Sequence, residues 1–184
     1  MIENAGEHGH TQPGNASDYA ANRVFLSLGS NVGDRLMYLR EASHRLGAHL
    51  TRLQASSVYE TAPMYLSNQP AFLNAVLEGY FVGSPHDLLA ISNTIEAQLG
   101  RDRQLEVPKG PRSLDIDLLL FGDLVLQSID LEIPHPGLLE RAFVLQPLLE
   151  IAPKLKHPQH KVPIAELVQI DLAKGIYRQE QILV

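Results

Sequence analysis

The sequence predicts an α+β sandwich, a mainly antiparallel sheet with helices packed on it. Three observations lead there. Apolar runs of strand length and two amphipathic stretches follow one another as strand, helix, strand, strand, helix, strand. Each amphipathic stretch opens on a helix-start residue and closes on glycine. The last of these strands, residues 114–121, is apolar on both sides and stops at a Gly122-Asp123 turn, as a buried strand does.

Taken in order, residues 1–21 are polar, rich in Gly and without period, and read as a flexible tail ahead of one domain over 22–184. His8 and His10 in that tail carry no reading beyond loose polar residues. Residues 23–28 are a short apolar strand that runs into Gly29-Ser30-Asn31-Val32-Gly33. Asp34 suits an N-cap, Leu36, Leu39, Ser43 and Leu46 follow at helical spacing, and Gly47 suits the end. A phosphate-binding loop needs more than this one Gly-Ser-Asn, so a tight strand-to-helix turn is the better reading. Residues 50–59 alternate as a strand, a long loop with Pro63 and Pro70 follows, and residues 72–81 form the next, antiparallel strand. Ser84-Pro85-His86-Asp87 is a capping box with Pro at the first helical position. Leu88, Ile91, Ile95 and Leu99 give that helix its apolar stripe, with Glu96 at the stripe's edge and Gly100 after it. Beyond the 114–121 strand, Leu124-Val125-Leu126 reads as its hairpin partner. Then come Ile133-Pro134-His135-Pro136, a short helical stretch with Arg141 and Phe143, and residues 144–151, which pack on the core. From Pro163 onward a short helix and an edge segment are expected. His157 and His160 read as ordinary loop histidines. Two strand-helix-strand halves in series match a ferredoxin-like βαββαβ sandwich with an added hairpin strand and C-terminal helices.

The chemistry gathers around residues 109–123. Asp115 and Asp117 stand at i and i+2 of a strand, so they share a face, with their Cα atoms roughly 7 Å apart. At an effective dielectric of about 20, two bare charges at that spacing repel by roughly 2 kcal/mol. An Asp-x-Asp on a half-buried strand is most often its wet face. Here the flanks argue otherwise, because Ile116, Leu118 and Leu120 make one apolar face while Leu119 and Phe121 continue the other. Two carboxylates in such a strand suit Mg²⁺, which takes hard oxygen donors and completes its shell with substrate phosphates. The loop 101–113 empties onto this pair and carries Arg101, Arg103, Lys109 and Arg112 in an otherwise acidic chain. Arg for phosphate and Asp for metal within a few residues make a metal-nucleotide site. Asn74, a polar amide amid Phe72, Leu73, Ala75, Val76 and Leu77, needs partners if buried. It is either a satisfied structural amide or the edge-reader for a heterocycle.

Composition narrows the classes. The 184 residues are 45% hydrophobic and 20% charged, with a net charge of -6. That balance disfavours broad capture of nucleic acid. No cysteine is present, so disulfide and thiolate chemistry are excluded. No apolar run approaches the length of a spanning helix. No basic start with an apolar run marks a signal peptide. The expectation is a cytoplasmic monomer with small-molecule partners, neither nucleic acid nor membrane among them.

Gly110-Pro111-Arg112-Ser113-Leu114-Asp115-Ile116-Asp117-Leu118-Leu119 resembles the signature of the 6-hydroxymethyl-7,8-dihydropterin pyrophosphokinases of folate synthesis. The likeness extends over about residues 23–155. It includes Leu28-Gly29-Ser30-Asn31, Tyr59-Glu60-Thr61-Ala62-Pro63, Gln69-Pro70-Ala71-Phe72-Leu73-Asn74-Ala75, and more weakly Ile133-Pro134-His135 and Arg141-Ala142-Phe143-Val144-Leu145. The resemblance implies an ATP-dependent transferase that moves a diphosphate from ATP to the pterin hydroxymethyl group and releases AMP. It implies that Asp115 and Asp117 hold two Mg²⁺ ions, that Arg101 and Arg112 act on the triphosphate, and that Glu96, Arg103, His135 and Arg141 add nucleotide contacts. It places the pterin between Phe72 and Phe143, with Asn74 on its edge and Thr61 and Ala62 giving backbone contacts. Both long loops would then close as lids. Lys109 stands where the family often has Trp, and Phe72 where Tyr is common.

Two other readings use the same residues differently. Another two-metal nucleotidyl or phosphoryl transferase would need the aspartates but not a pocket of Phe72, Asn74 and Phe143. A non-catalytic small-molecule-binding regulatory domain would not need the Arg cluster beside Asp115 and Asp117.

Overall fold

A computed structural model describes residues 20–64, 68–102, 110–181 and 183. In order, the elements are β1 (Asn22–Ser30), α1 (Arg35–Gly47), β2 (Thr51–Ala55), β3 (Tyr59–Thr61), β4 (Phe72–Phe81), α2 (Pro85–Gln98) and β5 (Asp115–Phe121). There follow β6 (Leu126–Gln127), β7 (Glu132–Ile133), α3 (Ala142–Ile151), α4 (Ile164–Leu167) and β8 (Ile176–Arg178). The main sheet is antiparallel in the order β5-β1-β4-β3-β8, with β2 also on β4. This is the α+β arrangement expected. The tail over 1–21 lies almost wholly outside the described residues.

Local signals set both long helices. The Asp34 carboxylate accepts the Met37 amide at 3.0 Å and starts α1. Ser84 and Asp87 exchange side-chain and backbone hydrogen bonds across the first turn of α2, closing the capping box. Gly100 follows α2 at φ +88, a conformation that favours glycine.

The sheet is apolar on both faces because it carries a core on each. On one side Leu26, Leu28, Leu77, Ile116 and Leu118 pack beneath Leu39 and Leu46 of α1 and Leu88 and Ile95 of α2. On the other, Phe25, Val76, Leu119 and Leu120 meet Val144, Leu145 and Leu148 of α3 and Ile164 of α4. The candidate site opens on this second side.

Three details depart from the sequence expectation. Residues 50–59 form two strands, not one. The register against β4 slips between Thr51 and Gln54, and Arg52 sits at φ +52. At the break the Ser56 amide donates to the Val76 carbonyl while the Ser56 hydroxyl, in place of a backbone carbonyl, accepts the Val76 amide. Leu126 pairs with Ile133 in a separate two-stranded ribbon, so the added hairpin is β6–β7 and not a partner of β5. Finally, a bulge lies in β5. Leu26 and Phe25 face Leu118 and Leu120, leaving Leu119 extra. The bulge turns Leu120 into the α3-side core and Phe121 into the other, reversing the faces that strict alternation assigns them. The Leu119 carbonyl accepts the His135 amide at 2.9 Å, which seats the segment after β7 against the site.

Candidate active site

Asp115 and Asp117 open β5, an edge strand of the main sheet, and point into one cleft of about 200 Å³. Its floor is Ser27 and Gly29 of β1, with Asp115 and Asn74 on either side of Gly29 in register. A Cβ on Gly29 would come within 3.2 Å of the Asn74 amide oxygen, so glycine keeps this floor open. A wider, shallower groove between α1 and α2 lies across the sheet and holds no carboxylate of this set.

The charged half of the cleft is tightly paired. Arg101 donates to Asp115 Oδ1 at 2.5 Å and Arg112 to Asp115 Oδ2 at 2.7 Å. Burial pulls the Asp115 pKa upward, but the guanidinia of Arg112 and Arg101 outweigh it and hold the carboxyl below the usual range. Asp117 has looser company, with Arg141 at 3.6 Å and His135 at 3.9 Å. Burial, reinforced by the Asp115 charge and only partly offset by Arg141 and Arg112, pushes it up to about 7. His135 is driven down to about 4, first by burial and then by Arg141, and is neutral at physiological pH. Its Nδ1 accepts the Gly137 amide, which leaves the Nε2 proton toward Asp117.

The uncharged half is a slot. Phe72 opens β4 and Phe143 lies in the first turn of α3, and both line the cleft with Thr61, Ala62 and Met64. Asn74 is 3% exposed and donates to the Thr61 hydroxyl at 2.8 Å, which leaves its carbonyl edge for a ligand. Arg112 stacks over Phe72 and Arg141 over Phe143, so each cation sits at the seam between slot and carboxylates.

Of the residues singled out from sequence, Arg101, Arg112, Asp115, Asp117, His135, Arg141, Thr61, Ala62, Phe72, Asn74 and Phe143 all line this cleft. Glu96 does not. It is 1% exposed, beneath the lining, where one oxygen accepts both Arg101 at 2.5 Å and the Ile116 amide at 2.7 Å. It orients Arg101 and the strand carrying the aspartates instead of facing the cleft. Arg103 and Lys109 lie outside the described residues. Asn31, read from sequence as turn chemistry, proves to be a knot. Its Oδ1 accepts the Arg112 amide at 2.8 Å and its Nδ2 donates to Gln69 and to the Pro70 carbonyl. A single side chain thus ties the strand end to both loops beside the slot. Its place at the end of the Leu28-Gly29-Ser30-Asn31 motif was the sign that the sequence offered.

The donor set fits Mg²⁺ in kind: two adjacent carboxylates with hard oxygens, one of them raised in pKa by burial and by the neighbouring Asp115 charge. No third His, Cys, Asp or Glu joins them among the described residues, and Mg²⁺ commonly completes its shell with water and substrate phosphates.

The family model described as 7,8-dihydro-6-hydroxymethylpterin-pyrophosphokinase (HPPK) matches residues 25–153. The chain belongs to this family. It is 41% identical to the 2-amino-4-hydroxy-6-hydroxymethyldihydropteridine pyrophosphokinase of Aquifex aeolicus over 78% of this chain and 88% of that protein. It is also 41% identical to the folic acid synthesis protein fol1 of Pneumocystis carinii, over 77% of this chain but 19% of that longer one. The chain spans about a fifth of the fungal relatives it matches. An Arabidopsis thaliana relative, 43% identical, is named a mitochondrial bifunctional folate synthesis protein. Among solved structures, Plasmodium falciparum wild-type HPPK-DHPS superposes with a TM-score of 0.67 at 16% identity, covering 88% of this chain and 49% of that one. That likeness supports the fold alone. No helix among the described residues is long and apolar enough to cross a membrane.

Proposed function

We propose that this member of the HPPK family transfers the diphosphate of ATP to the hydroxymethyl oxygen of 6-hydroxymethyl-7,8-dihydropterin, forming the pterin diphosphate and AMP. One observation carries the reading: a flat slot with a buried amide and a paired-carboxylate, triple-arginine pocket share a single cleft. A heterocycle in the slot, flanked by Phe72 and Phe143, presents its amide edge to Asn74. Its side-chain hydroxyl then points toward the carboxylates.

The reaction forms a bond from that oxygen to the β-phosphorus and breaks the bridge between the α- and β-phosphates. AMP leaves with the bridging oxygen, and the hydroxyl proton passes to solvent. Asp115 and Asp117 would hold two Mg²⁺ ions, which supply charge neutralisation on the phosphate oxygens and lower the pKa of the attacking hydroxyl. Arg101 and Arg112 are already poised on Asp115, and the same guanidinia reach phosphate oxygens once a triphosphate competes for them. Arg141 beside Asp117 stabilises charge on the transferring group. Neutral His135 donates from Nε2 and contributes no charge. Glu96 keeps Arg101 aimed. We assign Arg103 a nucleotide contact.

Incubation with ATP, Mg²⁺ and the reduced pterin tests the reading. Stoichiometric AMP with a new diphosphate ester, followed by phosphorus NMR, is the expected result; ADP in place of AMP would refute diphosphate transfer. We further propose a cytoplasmic monomer. Sedimentation checks the size and cell fractionation the compartment.

A further inference from the structure

A second polar cluster lies away from the cleft. The Glu150 carboxylate, near the end of α3, takes four hydrogen bonds. Its Oε1 accepts from the Ser57 hydroxyl at 2.7 Å and from Arg178 at 3.3 Å. Its Oε2 accepts from the Ser57 amide at 3.0 Å and from the Tyr59 hydroxyl at 2.9 Å. Arg178 also donates to the Ser57 hydroxyl oxygen at 2.8 Å. Three elements meet at this carboxylate: α3, the β2–β3 junction, and β8, whose Arg178 lies beyond the 25–153 stretch matched by the family model.

What the cluster joins are the two walls of the slot. Phe143 precedes Glu150 by seven residues on the same helix, two turns or about 10 Å along the axis and on the same face. Tyr59 precedes Thr61 by two residues on β3, and it pairs in register with Asn74. β8 lies on the other edge of β3, with Ile176 opposite Thr61 and Arg178 opposite Tyr59. α3 therefore acts as a bar with an aromatic wall at its N-terminal end and a polar bolt at the other. Elsewhere α3 rests on the sheet through Val144, Leu145 and Leu148, contacts without directional preference. Among the described residues the directed hydrogen bonds between this bar and β3 gather at the Tyr59 hydroxyl, which meets Gln146 as well as Glu150, and Glu150 alone carries them on to Ser57 and Arg178.

We infer that Glu150 is a positioning residue for the heterocycle: bound by Tyr59, Ser57 and Arg178, it sets the gap between Phe143 and the Thr61–Asn74 wall. This rests on the pterin reading above. Glu150 does not line the cleft, so its loss acts through the slot and not through the phosphate pocket.

The experiment compares wild type with Glu150→Ala, Tyr59→Phe and Arg178→Met in steady-state kinetics. Circular dichroism verifies folding at the assay temperature. For Glu150→Ala the pterin KM rises about fivefold, the equivalent of one hydrogen bond of about 1 kcal/mol, while the ATP KM stays within about twofold. The milder Tyr59→Phe moves the same parameter in the same direction, and it serves if Glu150→Ala does not fold. Folded variants with an unchanged pterin KM, or with both KM values raised equally, overturn the proposal. Should wild type not take the pterin at all, the functional reading fails. The bolt is then judged by amide exchange at residues 59–61: faster exchange in the variants supports it and unchanged exchange overturns it.

Discussion

Replacing Asp117 by Asn separates the electrostatics of the cleft from its chemistry. Asp115 and Asp117 share a strand face, with a spacing of roughly 7 Å and a repulsion of roughly 2 kcal/mol at an effective dielectric of about 20. The Asp117 side chain remains 32% exposed to the cleft. Solvent therefore discounts this repulsion to about 1 kcal/mol, and burial of the charge, the larger cause of the shift, adds to it. The sign follows from its raised pKa of about 7. Across roughly pH 4 to 7 the folded chain keeps a proton that the unfolded chain has released, so this group's contribution to stability falls as pH rises. The cost is complete above about pH 7 and absent below about pH 4. Asp117→Asn removes it. At pH 8 without metal the variant should melt at least about 3 °C higher than wild type, whereas at pH 4 the two should coincide. Diphosphate transfer should fall at least about 100-fold, the scale of losing one contact to transition-state charge. Thermal melts at the two pH values, repeated with Mg²⁺ and a non-hydrolysable ATP analogue, measure both effects. Wild type should gain stability from that addition and the variant far less. A variant that melts lower than wild type at pH 8, or that retains full transfer, would refute the reasoning.

Three further outcomes are expected. Asn74→Ala should raise the pterin KM about tenfold, as one to two net hydrogen bonds are lost, with the ATP KM nearly unchanged; equal rises in steady-state kinetics would remove Asn74 from the pterin edge. His135 should show no chemical-shift titration by NMR between pH 8 and 5.5, since its pKa lies near 4. Because that value is depressed, its contribution to stability is present above about pH 6.5 and is lost as pH falls toward 4; a midpoint near 6.5 would contradict the burial argument. Glu96→Ala strips the Ile116 amide of its buried acceptor and leaves Arg101 with Asp115 but without Glu96. It should destabilise the chain by about 3 kcal/mol in chemical denaturation, and a loss under about 0.5 kcal/mol would show that the carboxylate does not hold them.

Local chemistry explains what could be read early. Asp34 and the Ser84–Asp87 box cap their helices within a single turn, so a few neighbouring residues suffice to reveal them. The two-residue period of a strand likewise puts Asp115 and Asp117 on one face whatever surrounds them. The Leu119 bulge is different, because it depends on how β1 pairs across β5 and where the His135 amide lands. The break at Ser56 depends on Val76, twenty residues away. Glu96 looked like the edge of an apolar stripe, and its burial becomes tolerable only because Arg101 and the Ile116 amide arrive from other segments.

By itself the amino-acid sequence determined the order of elements, the helix ends, the neighbouring acids and the cationic loop, all set by interactions within a few residues. Only the tertiary structure decided that Arg141 and His135 face Asp117, that Asn31 knots two loops, and that Glu150 bolts α3 to β3. Those contacts join residues far apart along the chain, and they form only when burial of both sheet faces has brought the segments together.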